Sequence, residues 1–303
     1  ATNGKLLKPK QRWGGLMRSI DQPDFETANI EFIEFWLQDP YIDYAPRIPN
    51  ASSSTGGKLY FNLGNSSEDI LKDGKRFYEN GLPTPNAPAP VDNSNWGRVP
   101  TNPVQVTNAF SNDPDDRKFQ DLGFDGLDDT AEVSKRTAYL NQLAANFGTG
   151  SQAYQQALAD PSNDNYHYYR GDDLDQQGIG ILGRYKKFNS PEGNSPVAST
   201  GSTFSSAATL YPDAEDVNRD NTLNQTEEYF QYIVDIKPSN RPEMTIGTNF
   251  IVDKKSVTVG LADGNSRNET WYQFRIPIGQ YDRKIGNIPD FKSIRFIRMF
   301  MTD

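Results

Sequence analysis

The sequence predicts a mainly β protein, a jelly-roll-like antiparallel β-sandwich with a helical insertion. Three observations carry that expectation. Apolar and polar residues alternate in segments near both ends of the chain, and the main helical periodicity lies in the middle. The composition, with 15 Tyr, 17 Phe, 24 Gly and 20 Pro in 303 residues, is that of a loop-rich β protein.

Taken in order, Asn29 to Pro40 alternates Ile30 and Phe32 with Glu31 and Glu34 and reads as a strand that Pro40 ends. Lys58 to Gly64 is a second strand. Ser66 or Ser67 is placed to cap a helix running through Glu68, Asp69, Ile70, Leu71, Arg76 and Phe77 to a stop at Asn80-Gly81. Pro83 to Pro103 is so rich in proline that it predicts an extended crossing. Ala131 to Phe147 sets Val133, Thr137, Leu140, Leu143 and Ala144 on one helical face, and Ser151 to Leu158 predicts a second helix. Gly171 to Ser206 has little periodicity and reads as loop. Strands then resume at Tyr229 to Ile236, Met244 to Val252, Ser256 to Leu261, Trp271 to Ile278 and Ser293 to Met301. The organisation expected is a β-rich segment at 1–82, a proline-rich crossing at 83–110, a helical and loop insertion at 111–204 and a β-sandwich segment at 205–303.

Bulk numbers exclude several classes. A net charge of −9, from 40 acids against 31 bases, argues against a nucleic-acid partner. With no cysteine there is no disulfide scaffold and no thiol chemistry, and with one histidine zinc is a poor fit. No apolar run approaches the ~20 residues of a spanning helix, so the chain is expected to be soluble, with no membrane span.

The most specific motif is DVNRDNTLNQTE. It sets Asp216, Asn218, Asp220, Asn224 and Glu227 at the first, third, fifth, ninth and twelfth places of a calcium loop, with the Thr222 carbonyl at the seventh. Alternate oxygen donors on a tightly curled backbone converge on one hard cation. Asn221 stands where glycine is expected, a position needing the left-handed backbone that asparagine tolerates best among residues with side chains. The β-branched and aromatic run after it predicts a loop that feeds a sheet, without the paired helices of an EF-hand. DLGFDGLDDTAE is a second, less complete loop, with Asp121, Asp125, Asp129 and Glu132 at its first, fifth, ninth and twelfth places and Gly126 at its sixth. For each run the bland alternative is an acidic turn that binds nothing.

Two segments share an outline, DFETANIEFIEFW from Asp24 and DFKSIRFIRMF from Asp290, each with a tryptophan upstream, Trp13 or Trp271. They belong either to two successive sandwiches or to neighbouring positions of one. Together with GKLYFNLGNSSEDILKDGKRFYENGLP, FQDLGFDGLDD, DNYHYYRGDD, DAEDVNRDNTLNQTEEYFQYIVDIKP and the closing WYQFRIPIGQYDRKIGNIPDFKSIRFIRMFMTD, the chain resembles the SprA/Sov family. These are the outer-membrane proteins of gliding motility and type IX secretion in Bacteroidota. The resemblance implies a piece of a long polypeptide that forms a very large β-barrel translocon. Its partners would be the remainder of that polypeptide, accessory secretion proteins and exported cargo proteins, and its place the cell envelope at the outer membrane. The resemblance supplies no catalytic residues.

Enzyme readings are weaker. His167, in YHYYR, reads as a hydrogen-bonded core residue rather than an acid/base group. Glu31 and Glu34 point to opposite faces of a strand and read as solvated, and pairs such as Asp128-Asp129 and Asp172-Asp173 suit cations or helix caps better than glycoside hydrolysis. The chain is therefore expected not to be an enzyme. The rival binding function is a carbohydrate-binding cell-surface sandwich, with Trp96 as the stacking platform and Trp36 and Trp271 in the core.

Overall fold

Strict alternation decides which faces the strands bury. The computed structural model describes residues 8, 11–41, 54–77, 90–101, 125–164, 172–185, 215–261 and 264–302. One sheet has the order β1 (Trp13–Ser19), β10 (Phe296–Thr302), β3 (Gly57–Asn65), β6 (Glu228–Ile236), β9 (Arg283–Ile285). The other has the order β2 (Phe32–Gln38), β8 (Ser266–Pro277), β7 (Ile251–Gly260). All of their pairings are antiparallel.

On β8, Tyr272, Phe274 and Ile276 point inward, and on β6 so do Phe230, Tyr232, Val234 and Ile236, all of them buried. Phe35 of β2 stacks on Phe274 at 5.0 Å between ring centroids and meets Phe61 of β3, in the opposite sheet, at 5.1 Å. Phe61 and Phe274 share one core, so the two sheets form an antiparallel β-sandwich. The two related segments bind each other ahead of their strands. The Phe25 amide donates to the Phe291 carbonyl at 2.9 Å, and the Ile294 amide to that of Pro23 at 2.9 Å. The repeat thus serves facing sheets of one sandwich.

By its contacts the chain separates into two compact units, the first comprising Asn3–Ser67 with Gln225–Asp303 and holding the sandwich, the second comprising Glu68–Asn224. The second contains the hairpin β4 (Val91–Asn93) and β5 (Arg98–Pro100) and the helices α1 (Asp129–Lys135), α2 (Thr137–Phe147), α3 (Gln152–Ala159), α4 (Asp172–Gln176) and α5 (Ile181–Tyr185).

Several expectations are corrected. Residues 66–77 form no helix: Lys72 and Gly74 take positive φ, and the Asp73 and Gly74 amides bond the Asp69 carboxylate instead of carbonyls one turn back. The helix expected over Ala131 to Phe147 is two, joined at Arg136. Met244 to Phe250 is not strand, because Gly247, Asn249 and Phe250 have positive φ and the Thr245 and Thr248 hydroxyls take nearby carbonyls. Ile251 to Gly260 is instead one continuous strand with a bulge after Ile251. The proline-rich crossing contains the β4–β5 hairpin, α4 and α5 lie where loop was expected, and β1 and β9 were not foreseen. Trp36 is 40% exposed on the outer face of its sheet beneath the Lys255 ammonium, not in the core. Glu34 is solvated as expected, bonded to Gln273 and Arg275 across the ladder.

Candidate metal centre

The loop beginning at Asp216 folds around its own side chains. Asp216 accepts from the Asp220 amide at 3.0 Å and the Asn221 amide at 2.8 Å, and the Asn218 side-chain oxygen accepts from the Asp220 amide at 3.0 Å. The Asp220 carboxylate accepts from the Thr222 amide at 2.9 Å. Arg219 at φ 58° and Asn221 at φ 65° take the left-handed backbone this curl needs, so asparagine fills the glycine place. Burial raises the Asp216 carboxyl against the opposing pull of the Asn221 amide and of Arg76, whose guanidinium is 3.6 Å away.

Two glutamates that sequence reasoning missed hold this loop. Glu68 is fully buried and accepts the amides of Val217 at 2.7 Å, Asn218 at 3.3 Å and Asn224 at 3.2 Å. Glu215, also fully buried, accepts the amides of Leu71 at 2.9 Å and Phe77 at 3.1 Å, and burial pushes its carboxyl up to about 7. Those bonds consume the amides a helix over 66–77 would have used.

Glu227, the twelfth place of the motif, belongs to the sandwich unit. Its carboxylate is gripped bidentately by Arg298 of β10, at 2.8 and 2.6 Å, and it accepts the Ser67 amide at 3.0 Å. Asp216, Asn218, Asp220, Thr222 and Asn224 belong to the second unit.

Asp121 of the second run lies outside the described residues, as does His167. The remaining positions are drawn together differently from a linear loop. Asp125 precedes α1, Glu132 sits within α1, and Asp164 follows α3, yet one oxygen of each lies within 4.8 Å of the others and all three residues are buried. Asp129 is exposed and groups with Glu132 and Asp160. Ser162 ties the site, its hydroxyl donating to Asp125 at 2.9 Å and its amide to Glu132 at 3.1 Å. Burial, then the nearby Asp164 charge, pushes the Glu132 carboxyl up to about 8. Gly126 has φ 71°, the left-handed form its place in the motif requires.

The hairpin backs this centre. The Arg98 amide donates to the Asp125 carbonyl at 2.8 Å, Lys135 to the Ser94 carbonyl at 2.7 Å and Arg136 to the Trp96 carbonyl at 3.1 Å. Gly97 permits the approach, since a Cβ there would lie 1.9 Å from the Asp125 carbonyl oxygen. Trp96, at the hairpin tip, is 44% exposed. Oxygen-only, carboxylate-rich sites of this kind suit hard cations. Among the described residues no helix is long and apolar enough to cross a membrane.

Comparison with known proteins bears on residues 138–303, just over half the chain, which match the family model SprA_N, described as a motility related/secretion protein. No curated protein matches.

Proposed function

Because the chain belongs to the SprA_N family of motility-related and secretion proteins, we propose that it is a non-catalytic, calcium-stabilised section of the outer-membrane translocon serving type IX secretion and gliding motility. The family match carries this reading. The family description concerns motility and secretion and names no reaction, and it fits an envelope protein with partners in a larger complex. A sandwich whose core is closed by stacked phenylalanines is a suitable rigid wall for such an assembly. Its partners would be the rest of the translocon polypeptide, accessory secretion proteins and exported cargo.

Calcium in this reading acts on the loop at Asp216. Asp216, Asn218, Asp220, Asn224 and the Thr222 carbonyl supply its oxygens, and water completes the shell. Affinity purification of the full-length parent protein from envelope fractions tests the functional reading. Recovery of outer-membrane secretion components supports it, and a parent that fractionates away from the envelope with none of them refutes it. The exposure of Trp96 favours a second reading, a carbohydrate-binding surface. Glycan binding that is lost in Trp96→Ala, without secretion partners, would establish that alternative.

A further inference from the structure

We propose that Asp125, Glu132 and Asp164 are the ligand set of a buried divalent-cation site, with calcium the ion that fits it. The three side chains arrive from separate parts of the second unit, the turn before α1, α1 itself and the turn after α3. Their residues are 7%, 1% and 6% exposed. The protein's own donors answer only part of this charge. Asp125 accepts the Leu127 amide at 3.0 Å and the Ser162 hydroxyl, and the Arg136 guanidinium stands 3.6 Å from it. Glu132 accepts the Ser162 amide on Oε2, while its Oε1, equally shut off from water, has no hydrogen-bond partner. A carboxylate oxygen left unbonded beside two other carboxylates is a group waiting for a cation.

Donor chemistry indicates the ion. The donors are all carboxylate oxygens, the set that a hard cation such as calcium takes. Calcium also accepts six to eight oxygens in flexible geometry, which suits carboxylates brought together from three separate segments. The exposed Asp129 and the half-buried Asp160 group with Glu132 and form an acidic approach from solvent. This site differs from a twelve-residue loop, because its third ligand lies 32 residues beyond Glu132 (164 − 132). It deepens the calcium reading above and is independent of the translocon assignment.

Metal-stripped chain titrated with CaCl2 in a calorimeter, as wild type, Asp164→Asn, Glu132→Gln and Asp220→Ala, tests the site. The expected result is a binding event that Asp164→Asn and Glu132→Gln each weaken at least about tenfold, since ligand charge sets affinity, and that Asp220→Ala preserves. Wild-type binding in both carboxamide variants overturns the proposal, as does the absence of any binding by wild type. Loss of all binding in Asp220→Ala also overturns it and leaves the Asp216 loop as the calcium site. Should the variants fail to fold, a crystal structure of the unaltered chain grown in calcium decides. An ion about 2.3–2.6 Å from an oxygen of each of the three carboxylates supports the site, and no ion there refutes it.

Discussion

Removing the Glu68 side chain should loosen the Asp216 loop first. In Glu68→Ala, three amides, those of Val217, Asn218 and Asn224, lose an acceptor that holds them at 2.7, 3.3 and 3.2 Å. Hydrogen bonds to a charged group contribute about 1.5–3 kcal/mol each, but burial of the carboxylate itself, which raises its pKa, offsets part of that gain. About 1 kcal/mol per bond remains, or about 3 kcal/mol in all. For a unit of this size that lowers the melting temperature by about 6–12 °C. Glu68→Gln should fall between. Its amide oxygen can keep Val217 and Asn218, which share Oε1, while its NH2 faces the Asn224 amide donor to donor. Hydrogen exchange read residue by residue, together with urea melts, measures both effects. Unchanged exchange at Val217, Asn218 and Asn224 in Glu68→Ala, with a melt within about 0.5 kcal/mol of wild type, would refute the clamp.

Phe274→Ala should cost about 3–5 kcal/mol in chemical denaturation, because the ring is fully buried in the core and stacks on its cross-strand partner Phe35. A loss under about 1 kcal/mol would mean the ring is not packed in the core. Gly97→Ala should destabilise by about 1–3 kcal/mol, since its Cβ would sit 1.9 Å from the Asp125 carbonyl oxygen and lift the hairpin. The check is a melt that also follows tryptophan fluorescence, and wild-type behaviour would contradict the close approach. Chelation should lower the melting temperature of wild type, each site at tenfold calcium excess being worth about 1.4 kcal/mol. Asp220→Ala should remove the loop's share of that sensitivity in the same scan, and equal sensitivity in the variant would dissociate calcium from Asp220.

Local patterns were legible where local physics decides the outcome. Tyr272, Phe274 and Ile276 alternate with Trp271, Gln273 and Arg275, and the strand they predicted buries that face. Ser151 caps α3 by accepting the Tyr154 amide. Asn221 and Gly126 take the positive φ their motif places require. The failures have a common origin. Helical spacing over 66–77 was overruled by Glu215 and Asp69, which take the Leu71, Phe77, Asp73 and Gly74 amides. Trp36 was expected in the core, but its strand is exposed on one face and the tryptophan falls on that face.

What the chain determines by itself is therefore short-ranged: strand faces, caps, left-handed turns, family membership through residue order, and an abundance of carboxylates at calcium spacing. Which carboxylates meet was decided only in three dimensions. Asp164 comes beside Glu132 because the turn after α3, through Ser162, bonds Asp125 and Glu132, and Glu68 reaches the Asp216 loop across about 150 positions of sequence. Backbone amides and buried acids pair by proximity in space, and spacing along the chain carries no record of that proximity.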